Sequence, residues 1–262
     1  MTIHFYKYHG TGNDFVILDN RNEVIQLSQP QIAHICHRRF GVGADGLMEL
    51  RLADGYDFKM VYYNADGNPG SMCGNGGRCL VQFAHHLSVA KGKQEYTFLA
   101  SDGPHHATVE DKGIVRLKMN DVATIEHHNT YELLNTGSPH FVKTVNDLKS
   151  YNVVHEGKQI RNSSRFKAEG VNVNFVETTG EGSIFVRTYE RGVEDETYSC
   201  GTGVTAAAIV NAHNDRGFNH VEITTLGGKL YVEFDRLADD HFTNVWLAGP
   251  AVYVFEGLIK VD

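Results

Sequence analysis

The sequence has few cysteines and few prolines, no excess of basic residues and no long apolar run. Its 262 residues include 4 Cys and 5 Pro, and the formal net charge is −8. Proteins that bind nucleic acids or anionic membranes usually display a basic surface, so this charge argues against both partners. The longest largely apolar run, Val204–Val210, is far shorter than the about 18–20 residues of a membrane-spanning helix. We therefore expect a soluble, cytoplasmic protein.

The scarcity of cysteine also limits what the cysteines can do. Four cysteines in a chain of this length do not make a disulfide framework, and a reducing compartment would not maintain one. Cys73 and Cys79 lie six positions apart, which fits none of the short spacings of structural zinc sites. The C-x-x-C spacing of redox proteins is absent. We predict no metal site and look for another role.

A weak internal repeat organises the chain. Residues 58–67 (FKMVYYNADG) form a strand pattern with a polar turn, followed by Cys73-Gly-Asn-Gly and a helix pattern. Residues 184–192 (IFVRTYERG) form a second strand pattern, followed by Cys200-Gly-Thr-Gly and another helix pattern. Two copies of one supersecondary unit predict a pseudo-two-fold protein with a cleft between its halves. Chance similarity between glycine-rich turns is the alternative.

Apolar periodicity predicts seven strands and three helices. Ser28 and Pro30 start a helix that we expect to reach Arg39, because Ser is a good N-cap and Pro is tolerated in the first turn. Two further helices are expected after the glycine-rich turns, over residues 76–89 and 203–213. The predicted strands cover residues 57–63, 96–101, 114–119, 173–178, 183–189, 221–225 and 229–234.

The Cys-Gly-x-Gly turns place a thiol where its ionisation is favoured. A residue at a helix N-terminus lies beside N–H groups that lack helical acceptors and at the positive end of the helix dipole. Both effects lower a thiol pKa from its ordinary value of about 8.5. The glycines let the backbone approach a ligand closely, and the same N–H groups suit a carboxylate or a phosphate. Each turn therefore offers a reactive sulfur and an anion cradle.

Two such turns predict proton transfer at an amino-acid α-carbon. Deprotonating that carbon requires stabilising the charge that spreads into the carboxylate, which helix N-termini can do. One thiolate would remove the proton and one thiol would deliver another from the opposite face, so the centre inverts without a cofactor. Cys73 and Cys200 are the candidate catalytic residues. Phosphate loops remain an alternative, although neither turn matches GxxxxGK[ST] or GxGxxG, and so do cysteines that only pack.

Five segments of the chain, in order, closely resemble those of the diaminopimelate epimerase family: residues 10–15 (GTGNDF), 64–67 (NADG), 72–79 (MCGNGGRC), 190–192 (ERG) and 199–203 (SCGTG). The resemblance implies an α/β (α+β) fold of two pseudo-symmetric domains, each a mixed or antiparallel β-sheet barrel wrapped around a central helix. The active site is then expected in the cleft between them. The first domain would span residues 1–120 and take back a C-terminal strand within 251–262, at 252–260. The second domain would span residues 121–250.

The resemblance further implies an isomerase that converts LL- into meso-diaminopimelate, on the route to lysine and peptidoglycan, without a cofactor. Cys73 and Cys200 match the acid–base thiols, and Asn13 matches a contact to the reacting end of the substrate. His140 and Glu190 match residues that tune the thiols, although an ordinary core histidine is the alternative for His140. The remaining substrate-binding residues are Gly74, Asn75, Gly201 and Thr202 at the reacting carboxylate, and Asn64, Asn172, Glu190 and Arg191 at the distal end.

The assigned distal residues suit a second amino-acid group. Arg191 can bind a carboxylate with two parallel hydrogen bonds, and Glu190 can accept from an ammonium group. By the same comparison Arg78 is a structural residue, while Cys36 and Cys79 are packing residues.

Three departures from the family pattern affect the expected contacts. Ser138 stands where family members often have an Asn, and a serine reaches less far. Gly46 stands where some members have a Gln that touches the substrate, so that contact is expected to be lost. The loop over residues 192–197 is one residue longer than usual.

Other functions remain as alternatives. A two-cysteine racemase acting on proline or hydroxyproline would need no residues that bind a charged group at the distal end of the substrate. A non-catalytic binding protein, or an isomerase with a carboxylate base, should lack one or both cysteines. The ligand is in each case a small molecule, and the sequence leaves a homodimer open.

Overall fold

The computed structural model describes residues 1–214 and 216–261, and it has a mixed α+β fold with many strands and few helices. Asp215, in the predicted second domain, and Asp262, at the end of the predicted segment 251–262, lie outside the described residues. The chain divides into two compact units, Met1–Leu117 with Gly249–Asp262, and Lys118–Ala248.

The first unit is a mixed sheet around a helix. Its strands are β1 (Thr2–Gly10), β2 (Asn13–Asp19), β3 (Gly46–Arg51), β4 (Phe58–Asn64), β5 (Glu95–Ala100), β6 (Gly103–Val109), β7 (Ile114–Lys118) and β17 (Val252–Lys260), and its helices are α1 (Gln29–Cys36) and α2 (Gly74–His86). Strands pair in the order β17-β1-β2-β3-β4-β5-β6-β7. The β2–β3 and β4–β5 pairs are parallel, and the others are antiparallel.

The second unit repeats this plan. Its strands are β8 (Glu126–His127), β9 (Glu132–Asn135), β10 (Pro139–Thr144), β11 (Asn172–Gly180), β12 (Ser183–Glu190), β13 (Asp195–Thr197), β14 (Gly217–Thr225), β15 (Gly228–Ala238) and β16 (His241–Pro250), and its helices are α3 (Val153–Arg161) and α4 (Gly201–Val210). The main pairing order is β9-β10-β11-β12-β14-β15-β16. The β10–β11 and β12–β14 pairs are parallel.

Apart from the additional antiparallel β17–β1 pair of the first unit, the two units have parallel and antiparallel pairs in the same order, and each places one helix at its centre. In the first unit α2 contacts β1, β2, β3, β4, β6 and β17, and in the second α4 contacts β9, β10, β11, β12, β14 and β15. The core helix α4 is buried along nearly its whole length, as expected for a helix that is apolar on every side. The repeated strand–turn–helix pattern of the sequence corresponds to β4 with α2 and to β12 with α4.

The predicted strands are all present, and the predicted C-terminal strand is β17, but the helix bounds need correction. The first helix ends at Cys36 rather than Arg39, because His37 has an extended backbone (φ −69°, ψ 120°). The two central helices begin at Gly74 and Gly201, earlier than predicted, because the preceding cysteines are their N-caps.

One helix, α3, was not predicted at all. Its sequence signal is Asn152, whose side chain caps the N–H group of His155 at 3.2 Å. Across the described residues, no helix is long and apolar enough to cross a membrane.

A buried ion network fixes the start of β2. Lys7 is buried and donates to Asp14 Oδ2 at 2.6 Å and to the carbonyl of Gly43. Arg38 makes two hydrogen bonds to the same carboxylate, at 3.0 and 2.7 Å. Although burial opposes the charged form, the hydrogen bonds from Arg38 and Lys7 lower the pKa of Asp14 to about 2.

Replacing Asp14→Asn should lower the free energy of unfolding by about 2–4 kcal/mol at pH 7, because buried Lys7 loses its counter-ion. Asp14 has a folded pKa below its ordinary value of about 3.9, so its stabilisation is complete above about pH 5 and is lost as the pH falls towards 2. Urea unfolding at pH 7 and pH 3 measures both effects. The exposed Asp54→Asn control should shift the free energy by less than about 0.5 kcal/mol. A loss of unfolding free energy in Asp14→Asn that is the same at pH 7 and at pH 3 would contradict the assigned role of the Asp14 carboxylate.

Candidate active site

Cys73 is the N-cap of α2 and links β4 to the helix through the loop over residues 65–72. Its backbone is extended (φ −116°, ψ 121°), and its carbonyl accepts the N–H of Gly77 at 2.7 Å. The sulfur is half-buried and lies 3.6 Å from Asn13 Oδ1. Because the first turn of a helix has N–H groups without helical acceptors, the thiol lies beside a region of positive potential.

Cys200 occupies the equivalent position at α4. Its backbone angles are nearly the same (φ −110°, ψ 114°), and its carbonyl accepts the N–H of Val204 at 2.9 Å. Its sulfur lies 3.6 Å from Thr202 Oγ1, and the Thr202 carbonyl accepts from Thr136 at 2.8 Å. The two Cys-Gly-x-Gly segments thus form the same capped helix start, once in each unit.

The close spacing of atoms explains the glycines at these helix starts. A Cβ added to Gly203 would lie 2.3 Å from Asn174 Oδ1 and 3.3 Å from Cys200 Sγ. A Cβ added to Gly77 would lie 2.9 Å from the Met72 side chain. Position 203 therefore has no room for a larger residue, whereas at position 77 the end of the Met72 side chain would have to move.

Asn13 and Asn75 form a network beside Cys73. Asn13 donates from Nδ2 to Asp45 at 2.8 Å, which turns its Oδ1 towards the sulfur. Asn75 Nδ2 lies 3.3 Å from the same Oδ1, and Asn75 Oδ1 accepts from Arg78 at 3.1 Å. The structure therefore brings the predicted residues Asn13, Gly74 and Asn75 together with Cys73.

Arg78 is wholly buried, and burial lowers the pKa of its guanidinium. Within the part of the chain that the structure describes, its Nε and Nη1 atoms have no hydrogen-bond partner. Its link to Asn75 makes it part of the framework that holds the first helix start.

Three residues of the second unit, Ser138, Asn172 and Arg191, are joined by hydrogen bonds. Asn172 Nδ2 donates to Ser138 Oγ at 3.0 Å, and Arg191 Nη2 donates to the same oxygen at 3.2 Å. Asn172 Oδ1 accepts from the backbone N–H of Arg191 at 2.9 Å. Nearby along the chain, Glu190 accepts from Thr197 at 2.8 Å. The hydroxyl of Ser138 therefore links Asn172 and Arg191, which are both predicted to bind the distal end of the substrate.

Asn64 and Gly46 are two further positions of the family pattern. Asn64 ends β4, and its amide donates to the carbonyl of Pro69 at 3.4 Å. At Gly46 a Cβ would lie 2.5 Å from the Tyr62 ring and 2.7 Å from the carbonyl of Tyr63. Position 46 therefore has no space for the side chain found there in some family members.

His140 is buried on β10, opposite Asn172 in the parallel ladder. Burial, with a smaller effect of the Arg191 charge, lowers its pKa to about 3, so the ring is neutral at pH 7. Its Nδ1 lies 3.1 Å from Asn174 Nδ2. Asn174 was not predicted from the sequence. It could have been found because residues two apart on a strand share a face, which places Asn174 beside Asn172.

Comparisons with known proteins agree on one family. A family model described as diaminopimelate epimerase matches residues 5–125 and 133–254. A diaminopimelate epimerase from Flavobacterium psychrophilum is 49% identical over 256 residues, which is 97% of this chain and 99% of that protein. One from Chlorobaculum tepidum is 40% identical over 260 residues, which is 96% of this chain and 99% of that protein.

Solved structures show the same fold at low identity. A phenazine biosynthesis protein of the PhzF family from Bacillus anthracis has a TM-score of 0.76 and 15% identity, with 100% of both chains covered. A hydroxyproline epimerase from Agrobacterium vitis has a TM-score of 0.71 and 12% identity, covering 98% of this chain and 92% of that chain. These likenesses confirm the predicted two-domain α/β (α+β) class.

Brief alkylation with iodoacetamide at pH 8 should label Cys73 and Cys200 well ahead of Cys36 and Cys79. Burial raises the pKa of both Cys36 and Cys79 to about 12, so only about 10⁻⁴ of either thiol is ionised at pH 8. Peptide mass spectrometry with isotope-coded reagent gives the four rates in one sample, and Cys36 and Cys79, whose pKa values are raised, are the internal controls. Earlier labelling of Cys79 than of Cys73 would remove the thiol assignment.

Proposed function

The chain belongs to the diaminopimelate epimerase family, and we propose from this membership that it interconverts LL- and meso-2,6-diaminopimelate by two-cysteine acid–base catalysis, without a cofactor. The protein is an isomerase whose substrate is a small molecule. The observation that carries the mechanism is the pair of helices that begin directly after a cysteine with matching backbone angles. The reaction belongs to the supply of lysine and of peptidoglycan precursors.

The two sulfurs exchange roles in each turnover. One cysteine thiolate takes the α-proton from one face of the substrate and becomes a thiol. The C–H electron pair moves into the carboxylate and returns to form a new C–H bond with the proton that the other thiol delivers from the opposite face. Protons and charge balance, and the two cysteines finish in exchanged protonation states. The delivered proton comes from a thiol that exchanges with solvent.

Backbone N–H groups stabilise the intermediate charge. Gly74 with Asn75, and Gly201 with Thr202, lie in the first turns of α2 and α4, where anions are favoured. A helix start that is fixed before the reaction costs no reorganisation when charge develops on the carboxylate. Asn13 supports the same end of the substrate through its contact to Cys73.

The distal amino-acid group distinguishes this substrate from a shorter one. Arg191 is exposed and is oriented by Ser138 and Asn172, so it suits a carboxylate at the far end of a long substrate. Glu190 and Asn64 complete the proposed distal set. A proline-type racemase needs no such reader, and a binding protein or carboxylate-base isomerase needs no pair of thiols.

We also propose a cytoplasmic homodimer. None of the four cysteines, all within the described residues, forms a disulfide, as is usual in a reducing compartment. The strand β17 exposes Val252, Val254, Phe255 and Leu258, with Leu258 72% exposed, and contiguous apolar residues of this kind support association. Analytical sedimentation should show a dimer for wild type and for the control Lys229→Asp, which changes an exposed polar residue. It should show a monomer for Leu258→Asp.

Incubation with LL-diaminopimelate in deuterium oxide without added cofactor should give meso product with deuterium at the inverted carbon. Cys73→Ser and Cys200→Ser should each lower kcat by about 10²–10⁴-fold, because a hydroxyl is a much weaker base than a thiolate. Mass spectrometry and chiral chromatography measure both results. The buried Cys79→Ser control should keep the wild-type rate.

An analogue with a β-leaving group separates the two thiols, since elimination needs only one base. Each single mutant should process one stereoisomer, and the two mutants should prefer opposite ones. Processing of the same stereoisomer by both mutants would place both thiols on one face and defeat the mechanism.

A further inference from the structure

Asn174 is a wholly buried amide whose orientation is fixed by its neighbours. Its Nδ2 faces two carbonyl oxygens, those of Phe141 at 3.0 Å and Asn172 at 3.4 Å. Its Oδ1 accepts from the Thr188 hydroxyl at 2.9 Å. Because carbonyl oxygens only accept, the nitrogen must lie on their side, and a flipped amide would face them with oxygen.

The fixed amide determines which nitrogen of His140 carries hydrogen. Asn174 Nδ2 carries two hydrogens, and its two shorter contacts are to the Phe141 carbonyl at 3.0 Å and to His140 Nδ1 at 3.1 Å, so Nδ1 is an acceptor. A neutral imidazole then carries its hydrogen on Nε2. Among the described residues, Nε2 has no hydrogen-bond partner. The lone pair of the ring is therefore occupied, and the available group is a donor.

The same amide lies against the second helix start. Asn174 Oδ1 and Cys200 Sγ both surround the point that a Cβ on Gly203 would occupy, at 2.3 and 3.3 Å. A shift of the amide would therefore be transmitted both to His140 and to the first turn of α4.

We infer that Asn174 is a positioning residue of this epimerase: it holds His140 as the Nε2–H tautomer, so that the ring presents a hydrogen-bond donor at Nε2. The inference rests on the proposed function.

Asn174→Asp tests this inference, because the two side chains have the same shape but a carboxylate accepts where the amide donates. Long-range ¹H–¹⁵N NMR of the ligand-free full chain, labelled with ¹⁵N-histidine, reports the tautomer, and the His140→Gln variant assigns the signals. Wild type at pH 7 should show an unprotonated Nδ1 and a protonated Nε2. The variant should show a protonated Nδ1, a kcat lowered about tenfold or more and a KM within about threefold.

Asn219→Asp is the matched control, since Asn219 is equally buried but its amide bonds the backbone of Asn214 and Gly217. It should keep the wild-type tautomer and kcat. A protonated Nδ1 in wild type, an unchanged tautomer in Asn174→Asp, or a changed tautomer with unchanged kcat would each overturn the inference.

Thr188→Val provides a second variant if Asn174→Asp does not fold, since it removes only the hydroxyl that orients the amide. It should give a mixed tautomer population and a partial loss of kcat, whereas Thr225→Val, whose hydroxyl bonds Gly228, should give neither. A wild-type tautomer and rate in Thr188→Val would count against the inference. The tautomer is measured without substrate, so a wild-type protein that lacks epimerase activity would refute the proposed function separately.

Discussion

Two helices of this protein begin at a cysteine with an extended backbone, and the residue that follows is already helical. This arrangement places the sulfur, the positive end of the helix and the first-turn N–H groups within one short segment. At the second helix start it also requires a small residue, because Asn174 packs against Gly203. The central position of α2 and α4 within their sheets holds these helix starts rigidly. The proposed proton transfer depends on that rigidity, since a preorganised dipole stabilises charge without reorganising.

The two cysteines have nearly the same backbone conformation, but their sulfurs contact different groups. Cys73 lies beside Asn13, whose amide connects through Asn75 to the buried guanidinium of Arg78. Cys200 lies beside the hydroxyl of Thr202, on an apolar helix. The unequal surroundings suit two thiols that begin a turnover in opposite protonation states, as the proposed mechanism requires.

Much of this organisation was predictable from sequence. The glycine-rich turns, the strands before them and the C-terminal strand follow from local patterns, because apolar alternation and turn chemistry are local properties. The helix starts were misplaced by two residues because glycines look like loop residues until the cysteine is known to be the cap. The helix α3 was missed because only Val153 and Gly157 in it are buried, so no apolar stripe marks it in the sequence, and because it depends on packing against β11 and β12.

Side-chain networks are harder to predict than elements. The meeting of Ser138, Asn172 and Arg191 joins three separate segments, and the fixed amide of Asn174 depends on carbonyls from two strands. The crowding at Gly46 arises from Tyr62 on a neighbouring strand. Such contacts depend on strand register, which one sequence does not specify.

The pairing of β1 with β17 affects the order in which the chain can fold during synthesis. Thr2 pairs with Lys260, so the sheet of the first unit receives β17 only after the ribosome has made the residues that separate the two strands. The second unit is continuous, from Lys118 to Ala248, and all its strands are made before β17. Domains generally fold as units during translation, and contacts between distant residues form slowly. The first unit is therefore completed after the second, and until β17 is made the edge of β1 lacks this strand as its hydrogen-bonding partner.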